Sequence, residues 1–356
     1  MILKRIWLKD FRSYSNFKID NFSSNVTLVT GENGKGKTNL IEAIYYISNL
    51  NSFRFSSRES LIKNGSKVSF IRAEITNGER ELLIESEISL LGRDKTLINK
   101  QKIIRNKEIR NYFKTIVFSN SDIEIVKNGP SYRRNFLDDL MIDLYPKMIP
   151  VKLELEKILK HRSKLLKTIS YKSGKEELDT LDIWNQKLSE VGELIVKTRK
   201  EVLTILQPEL EKSFYQLSFN EKKLQIEYIS SWEGRLIDAL QKTQKEDLLK
   251  GLTSVGPHRD DLSIKINNLF SRDQVSQGQQ RIIAISLKLA SHKVIKKQLS
   301  LSPLLLLDDV FSELDEIRSK KLLENLPSSQ TIITAAQIPS NIFSEVPIIN
   351  LNIIGN

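Results

Sequence analysis

One segment near the start of the chain combines glycines, a lysine and a threonine in the spacing that phosphate binding requires. Residues 31–38 read GENGKGKT and fit the P-loop pattern G-x-x-x-x-G-K-[S/T]. The glycines let backbone N–H groups turn inward around phosphates, Lys37 would reach the β- and γ-phosphates, and Thr38 would offer its hydroxyl to Mg²⁺. The segment therefore predicts a site for ATP and Mg²⁺. Its residues are Gly31, Glu32, Asn33, Gly34, Lys35, Gly36, Lys37 and Thr38.

Two adjacent carboxylates follow an apolar run late in the chain. Leu304–Leu307 is four leucines, and Asp308 and Asp309 come directly after it, which is the Walker B pattern. A buried strand of this kind would bring Asp308 to the metal and would place Asp309 to polarise the attacking water. Taken alone, the run also fits a core strand that ends in a solvated turn. Because a P-loop precedes it, we favour Lys37, Asp308 and Asp309 as the catalytic set.

A third segment, residues 276–281, reads SQGQQR and stands just before a predicted helix. Taken alone it would be an ordinary polar helix start. Its position between the P-loop and the apolar run resembles the signature motif of ABC ATPases. The resemblance implies that Ser276, Gly278 and Gln279 face a nucleotide bound by the opposite protomer of a dimer. Residues 312–315, reading SELD, resemble the D-loop of the same superfamily.

The elements around these motifs predict an α/β fold. Val26–Thr30 is a β-rich run before the P-loop, and an amphipathic pattern follows it at residues 39–49. Alternating segments at residues 68–118 and after residue 251 predict further strands, and the middle of the chain has helical periodicity. We therefore expect an ABC-type P-loop ATPase head with mixed sheets around the P-loop helix. The expected domains are residues 1–118 and 251–356 for the head and residues 119–250 for an inserted helical lobe.

Heptad spacing within the middle region predicts a short antiparallel helical pair. The stronger seam runs from Trp184 to Ile205, and the weaker one runs from Leu155 to Ile169 with Arg162 interrupting it. Residues 171–175 would form the tip between the two helices. The seams are Trp184, Leu188, Val191, Ile195, Thr198, Val202 and Ile205, and Leu155, Leu159, Leu166 and Ile169.

Composition limits the classes of function. The 356 residues carry a formal net charge of +11, which favours a polyanionic partner, with nucleic acid ahead of an anionic membrane. There is no cysteine, so disulfides and sulfur-ligated metal sites are excluded. The start of the sequence has no apolar core of a signal peptide, and no apolar run is long enough to span a bilayer. We therefore expect a cytoplasmic protein without a membrane partner.

Segments outside the ATPase motifs narrow the class further. The opening MILKRIWLKDFRSYSN, the helix NLIEAIYY after the P-loop, and two blocks that begin with Gly-Pro are together similar to the RecF family. The Asp-Asp ending of the Walker B pattern is also the form of this family, whereas many ABC ATPases carry Asp-Glu. The resemblance covers essentially the whole chain. Its segments are residues 1–16, 39–46, 52–54, 129–138 and 256–261.

The resemblance implies a function in recombinational repair and replication. Members of the family are ATP-driven homodimers, related to SMC ATPases, that clamp duplex or gapped DNA and cooperate with RecR and RecO to load RecA, in support of the SOS response. We expect a weak, DNA-stimulated ATPase, because Asp309 is one methylene shorter than glutamate. Arg133 and Arg134 are candidate DNA contacts, and a structural role near a helix start is the alternative.

Two segments depart from the expected pattern. Thr334-Ala335-Ala336 occupies the region where transporter ATPases place a histidine, and residues 118–122 offer no Q-loop glutamine, with Ser121 where the family has proline. A transporter-type ABC subunit is the alternative function, but it would lack the two Gly-Pro blocks. An SMC-type tether would need much longer helices. A nucleotide-binding switch without appreciable hydrolysis is a third interpretation.

Overall fold

The computed structural model describes residues 1–54, 56–103, 106–169, 175–218, 223–336 and 346–352. The chain divides into two compact units. The first unit comprises residues 1–123, 212–220 and 281–356, and the second comprises residues 124–211 and 221–280. The proposed tip at residues 171–174 lies outside the described residues.

The strands and helices are numbered in chain order. The strands are β1 (Ile2–Phe11), β2 (Tyr14–Ile19), β3 (Val26–Thr30), β4 (Val68–Asn77), β5 (Arg80–Ser89), β6 (Lys95–Ile98), β7 (Gln101–Lys102), β8 (Thr115–Phe118), β9 (Leu224–Ile229), β10 (Asp261–Ile266), β11 (Leu269–Phe270), β12 (Leu304–Leu307), β13 (Thr331–Ala335) and β14 (Ile348–Asn350). The helices are α1 (Lys37–Asn49), α2 (Arg58–Leu61), α3 (Glu124–Lys127), α4 (Pro130–Leu144), α5 (Met148–Thr168), α6 (Lys175–Ser218), α7 (Leu236–Lys250), α8 (Gln277–Leu299) and α9 (Glu316–Glu324). Short 3-10 turns lie at Asn106–Asn111, Asn120–Ile123 and Val310–Glu313.

A parallel sheet in the first unit positions the ATPase motifs. Its described strands have the order β14-β3-β13-β12-β8, and every neighbouring pair is parallel. β12 and β13 are buried along their whole length, as expected for a sheet covered on both faces. β13 therefore stands between β3, which leads into the P-loop, and β12, which leads into the two carboxylates.

An antiparallel sheet in the same unit covers the other side of α1. Its described strands have the order β2-β1-β4-β5-β6-β7. Alternate residues, such as Ile6 and Ile71, are buried in one core cluster with Leu40 and Ile44 of α1 and Val29 of the parallel sheet. Each such fully buried side chain stabilises the fold by about 1.5–3 kcal/mol. The expected ABC-type head with mixed sheets around the P-loop helix is confirmed.

The second unit contains the helical pair. Arg162 of α5 donates to Asn185 of α6 at 2.9 Å, and Thr198 of α6 lies 3.7 Å from the sulfur of Met148. Contacts thus run in opposite directions along the two helices, which confirms an antiparallel pair. α6 is 44 residues long, so one helix of the pair is longer than the short pair that we expected.

The buried face of α6 is offset from the predicted seam. Trp184, Val191 and Ile205 are only half-buried, whereas the polar residues Asn185 and Arg199 are buried. Hydrogen bonds make the burial of these polar side chains possible. A prediction that counts only apolar residues therefore placed the buried face about one residue too early in the sequence. Arg162 does not interrupt the face of α5, because its fully buried guanidinium pairs with Asp247 at 2.8 Å.

The expected domain boundary at residue 250 differs from the division that the contacts define. Residues 251–280 group with the second unit, because β10 pairs along its whole length with β9, from Asp261 opposite Ile229 to Ile266 opposite Leu224. β9 itself was not expected in the helical region. The other predicted strands and helices are present. Within the described residues, no helix is both long and apolar enough to cross a bilayer.

Candidate nucleotide-binding site

The P-loop joins the end of β3 to the start of α1. Gly34 and Gly36 have φ angles of 87° and 93°, a left-handed conformation that glycine adopts without steric cost. A Cβ added at Gly36 would lie 2.7 Å from the hydroxyl oxygen of Tyr14, and that hydroxyl donates to the Gly36 carbonyl at 3.0 Å. Tyr14 is buried. The loop is therefore supported from beneath by a tyrosine that the sequence motif did not indicate.

Lys37 lies folded over the loop. Its Nζ donates to the carbonyl oxygens of Gly31 at 2.6 Å and Glu32 at 2.9 Å. Burial lowers the pKa of Lys37, while the charges of Asp309 and Asp308 raise it. A desolvated ammonium gains more from a phosphate than a hydrated one does, because the local dielectric constant is lower. The geometry thus suits the predicted phosphate contact.

A cluster of three side chains joins the P-loop to the end of β12. Asp308 Oδ1 accepts hydrogen bonds from Thr38 Oγ1 at 3.1 Å and from Thr334 Oγ1 at 2.8 Å. Its backbone N–H donates to the carbonyl of Phe118 at 2.8 Å. Burial raises the pKa of Asp308, and the hydrogen bonds from Thr334 and Thr38 oppose that rise. The strand order explains the cluster, because β13 delivers Thr334 between the two motifs.

Asp309 adopts a strained backbone conformation. Its φ is 50° and its ψ is 39°, in the left-handed region that costs a non-glycine residue about 1 kcal/mol or more. Its N–H donates to Thr334 Oγ1 at 2.9 Å, and its carbonyl accepts from Ser312 Oγ at 2.9 Å. Thr334 therefore contacts both carboxylate residues, one through its lone pair and the other through its proton. Such strain is common where a side chain must be aimed at a reacting group.

A buried arginine at the start of α8 holds the segment that follows β12. Arg281 donates to Glu313, to Asn120 Oδ1 at 2.8 Å and to the carbonyl of Asp309 at 3.3 Å. Its side chain is almost fully buried. The segment without a Q-loop glutamine thus contributes Asn120 to the support of Asp309.

A second ion pair fixes the turn between β1 and β2 against α1. Arg12 makes two hydrogen bonds to the fully buried Glu42, from Nε at 2.8 Å and from Nη2 at 2.6 Å. Asn39 donates to Ser13 Oγ at 2.9 Å. Arg12, Ser13 and Asn39 line a groove of about 640 Å³. Sequence reasoning missed this groove, because its residues come from separate segments.

The predicted signature residues lie in the second unit. Ser276 stands directly before α8, and its hydroxyl accepts from the N–H of Gln279 at 3.3 Å while its own N–H donates to Gln279 Oε1 at 3.1 Å. This is a reciprocal helix cap. Ser276 is exposed and Gln279 is half-buried, and their contact with nucleotide, like that of Gly278, stays a prediction.

The two adjacent arginines of α4 have intramolecular partners. Arg133 is buried and forms a bidentate pair with Asp261 at 2.7 and 2.9 Å, and Arg134 donates to the Asp260 carbonyl at 2.6 Å. These contacts join the two Gly-Pro blocks of the second unit. The structural interpretation of Arg133 and Arg134 is therefore favoured over DNA contact.

The fold and the site define a class. The P-loop lies between a parallel strand and its helix, two carboxylates stand at the end of a nearby parallel strand, and an antiparallel sheet lies across the helix. This arrangement defines the head of an ABC-class P-loop ATPase. The chain also matches the RecF/RecN/SMC N terminal domain over residues 2–344.

Comparison with known proteins identifies the family. The chain is 34% identical to the DNA replication and repair protein RecF of Streptomyces avermitilis, over 94% of each chain. It is 35% identical to the protein of the same name from Clostridium acetobutylicum, over 95% of this chain and 93% of the relative. The chain belongs to the RecF family.

Solved structures agree with this family. The recombination mediator protein RecF in complex with ATP, described as part of the RecFOR pathway, superimposes with a TM-score of 0.88 at 34% identity, over 98% of this chain and 95% of the other. An Smc head bound to the C-terminal winged-helix domain of ScpA superimposes with a TM-score of 0.57 at 16% identity, over 98% of this chain and 94% of the other, and that likeness concerns the fold alone.

Proposed function

We propose that this chain is an ATP-dependent DNA-binding protein of recombinational repair and replication, in which ATP binding closes a homodimer. The observation that carries the proposal is the cluster of Thr38, Asp308 and Thr334 beside the P-loop. It joins the predicted phosphate-binding and hydrolytic motifs within hydrogen-bond distance. The complex of a RecF relative with ATP supports the choice of nucleotide.

The donor atoms of the cluster fit Mg²⁺. The ion prefers oxygen ligands and keeps several waters, so one hydroxyl, one carboxylate and the nucleotide phosphates are sufficient. Thr38 Oγ1 and Asp308 Oδ1 lie 3.1 Å apart and would hold it. When bound, Mg²⁺ neutralises charge on the phosphates. We assign the nucleoside part of ATP to the groove lined by Arg12, Ser13 and Asn39.

The residues of this chain would then perform a slow hydrolysis. Lys37 binds the β- and γ-phosphates, and Asp309 orients the attacking water and accepts its proton. Thr334 and Arg281 hold the backbone of Asp309 from its two sides. The short side chain of Asp309 holds water less closely than glutamate would, so we propose a weak ATPase that DNA stimulates and that serves as a switch.

The dimer and its partners complete the proposal. Ser276, Gly278 and Gln279 of one protomer would close on the γ-phosphate held by the other. The closed dimer would clamp duplex or gapped DNA in the cytoplasm, in support of RecA loading and the SOS response. The net charge of +11 supports a DNA partner, and affinity should fall steeply with salt. RecR and RecO are the proposed protein partners, since a relative acts in the RecFOR pathway.

Sedimentation of the purified protein with and without ATP and Mg²⁺ tests this proposal. We expect an ATP-dependent change from monomer to dimer that Lys37→Ala abolishes. Lys67→Ala is the matched control, because Lys67 is an exposed lysine of the same unit that lies outside the P-loop. A single species that does not respond to nucleotide would contradict the clamp, as would equal loss of dimer in both variants.

A further inference from the structure

The outward face of the antiparallel sheet carries two aromatic side chains among cations. The strand register places Trp7 of β1 opposite Lys18 of β2 and Arg72 of β4, and places Lys9 opposite Phe70. The alternating residues, including Leu8 and Ile71, face the core. We call Trp7, Lys9, Lys18, Phe70 and Arg72 the stacking face.

The two rings are exposed in a way that packing does not explain. The side chain of Phe70 is 44% exposed, although it lies in a ten-residue strand whose other outward positions are mainly polar or charged. Trp7 is half-buried, with Lys18 Nζ at 5.5 Å and Arg72 Cζ at 5.1 Å from its ring centroid. Proteins that bind single-stranded nucleic acid combine aromatic rings, on which bases stack, with cations that contact the phosphates, and this face has both.

The charges of the face are arranged unevenly. On the β5 side, Glu85 lies 3.8 Å from Arg72, and Glu87, which stands opposite Phe70, lies 3.5 Å from Lys95, so each carboxylate has a cation as its neighbour. On the β2 side, Lys9 lies opposite Asn16, and no carboxylate stands across from it in the register. The side chains of Lys18 and Asp20 are both about half-exposed, so the ion pair between them contributes little to stability. A phosphate backbone is therefore favoured along β1 and β2, with its bases directed towards β4.

The spacing of the rings selects a single strand over a duplex. Trp7 and Phe70 are diagonal neighbours across β1 and β4, a relation that places Cα atoms about 7–8 Å apart. This is roughly twice the 3.4 Å rise per nucleotide of stacked duplex DNA. Bases that have been splayed apart in a single strand can reach both rings, whereas paired bases within a duplex cannot.

We propose that the stacking face binds single-stranded DNA through base stacking on Trp7 and Phe70 and phosphate contacts to Lys9 and Lys18. The inference rests on the proposed DNA-binding function and adds to it a site for the unpaired strand of a gapped substrate. No residue of this face belongs to the nucleotide site. Binding of a single strand is therefore expected without ATP and without dimer closure.

Fluorescence anisotropy of labelled (dT)20 with the full-length protein tests the proposal. Phe70→Leu and Trp7→Leu should each weaken binding about 5- to 100-fold, and Trp7→Phe should retain most of the affinity. Phe270→Leu is the matched control, because Phe270 is 52% exposed in another sheet with Lys265 5.4 Å from its ring. A plot of log affinity against log salt concentration has a negative slope, and Lys9→Gln and Lys18→Gln should each reduce the magnitude of that slope by about 0.7.

The same titrations with a 20-base-pair duplex separate this site from the clamp. Phe70→Leu should leave duplex affinity within twofold of the parent, and Lys37→Ala should still bind (dT)20 even if it cannot dimerise. The proposal is overturned if the parent does not bind (dT)20, if Phe270→Leu weakens binding as much as Phe70→Leu, or if duplex binding falls in parallel. A failure of ATP-driven dimerisation would leave the (dT)20 result readable, so the two proposals can fail separately.

Discussion

Replacing Thr334 by valine removes one hydroxyl that serves both carboxylate residues of the site. The Oγ1 atom donates to Asp308 at 2.8 Å and accepts from the N–H of Asp309 at 2.9 Å. Thr334 is fully buried, so water cannot take over either bond. Valine keeps the shape of the side chain but leaves the N–H of Asp309 without this partner, and Asp308 keeps Thr38 as its other hydroxyl donor.

The magnitude follows from these two bonds. A hydrogen bond to a charged group contributes about 1.5–3 kcal/mol, and a buried unpaired N–H costs about 1–3 kcal/mol. We expect Thr334→Val to lower the free energy of unfolding by roughly 2.5–6 kcal/mol in urea titrations. Loss of the donor also raises the pKa of Asp308 further, because that bond stabilises the charged carboxylate. Protons then compete better with Mg²⁺, so ATP hydrolysis should need more Mg²⁺, and more so at pH 6 than at pH 8.

Thr334→Ser is the control, since it keeps the hydroxyl and loses only a methyl group. It should retain the Mg²⁺ requirement of the parent. The reasoning is refuted if Thr334→Val hydrolyses ATP with the same Mg²⁺ dependence and turnover as Thr334→Ser at both pH values.

Two further predictions concern the loop and the core. Gly36→Ala should weaken ATP binding at least tenfold in equilibrium titration, because the added Cβ would lie 2.7 Å from the hydroxyl oxygen of Tyr14. Gly78→Ala is the control: it has a similar positive φ of 62° with no atom near the added Cβ, and it should bind ATP normally. Equal affinity of the two variants for ATP would contradict this prediction. Burial lowers the pKa of His292 from 6.5 to about 4. Between these two pH values the imidazole is protonated in the unfolded chain but neutral in the folded one, so stability falls as the pH is lowered. The parent should lose about 2 kcal/mol of stability through this residue between pH 7.5 and pH 5. Urea titrations of His292→Gln should show a flatter pH dependence by that amount, and an unchanged slope would exclude the mechanism.

The P-loop and the Walker B strand were recognisable from sequence, because each is complete within a few consecutive positions, and the structure places Thr38 Oγ1 and Asp308 Oδ1 3.1 Å apart. The catalytic roles of their residues stay predictions. The fold class followed from the alternation of strands and helices around them. Tyr14 and Thr334 were not predictable as supports of the site. Tyr14 reaches Gly36 from 22 residues away and Thr334 reaches Asp308 from 26, through strand neighbours that no local pattern specifies.

Buried polar residues explain the errors in the helical region. Arg162 and Arg199 look like solvent-facing positions, yet both are buried in ion pairs with Asp247 and Asp138. Their partners lie 85 and 61 residues away in sequence. β9, reading LQIEYI, does alternate, and that period of two was the available signal for the strand that extends the second unit to residue 280.

The strand order of the parallel sheet has a consequence for synthesis of the chain. β3 emerges from the ribosome first, but both of its neighbours, β13 and β14, are encoded about 300 residues later. At a synthesis rate of about 5–20 residues per second, roughly 15–60 s pass between synthesis of β3 and synthesis of its two neighbours, and both edges of β3 are unpaired during that time. The antiparallel sheet is complete by Lys102 and needs no such wait. Until β13 and β14 have been made, the apolar edges of β3 are open to pairing with another chain, so we expect aggregation of the nascent chain to begin at this strand.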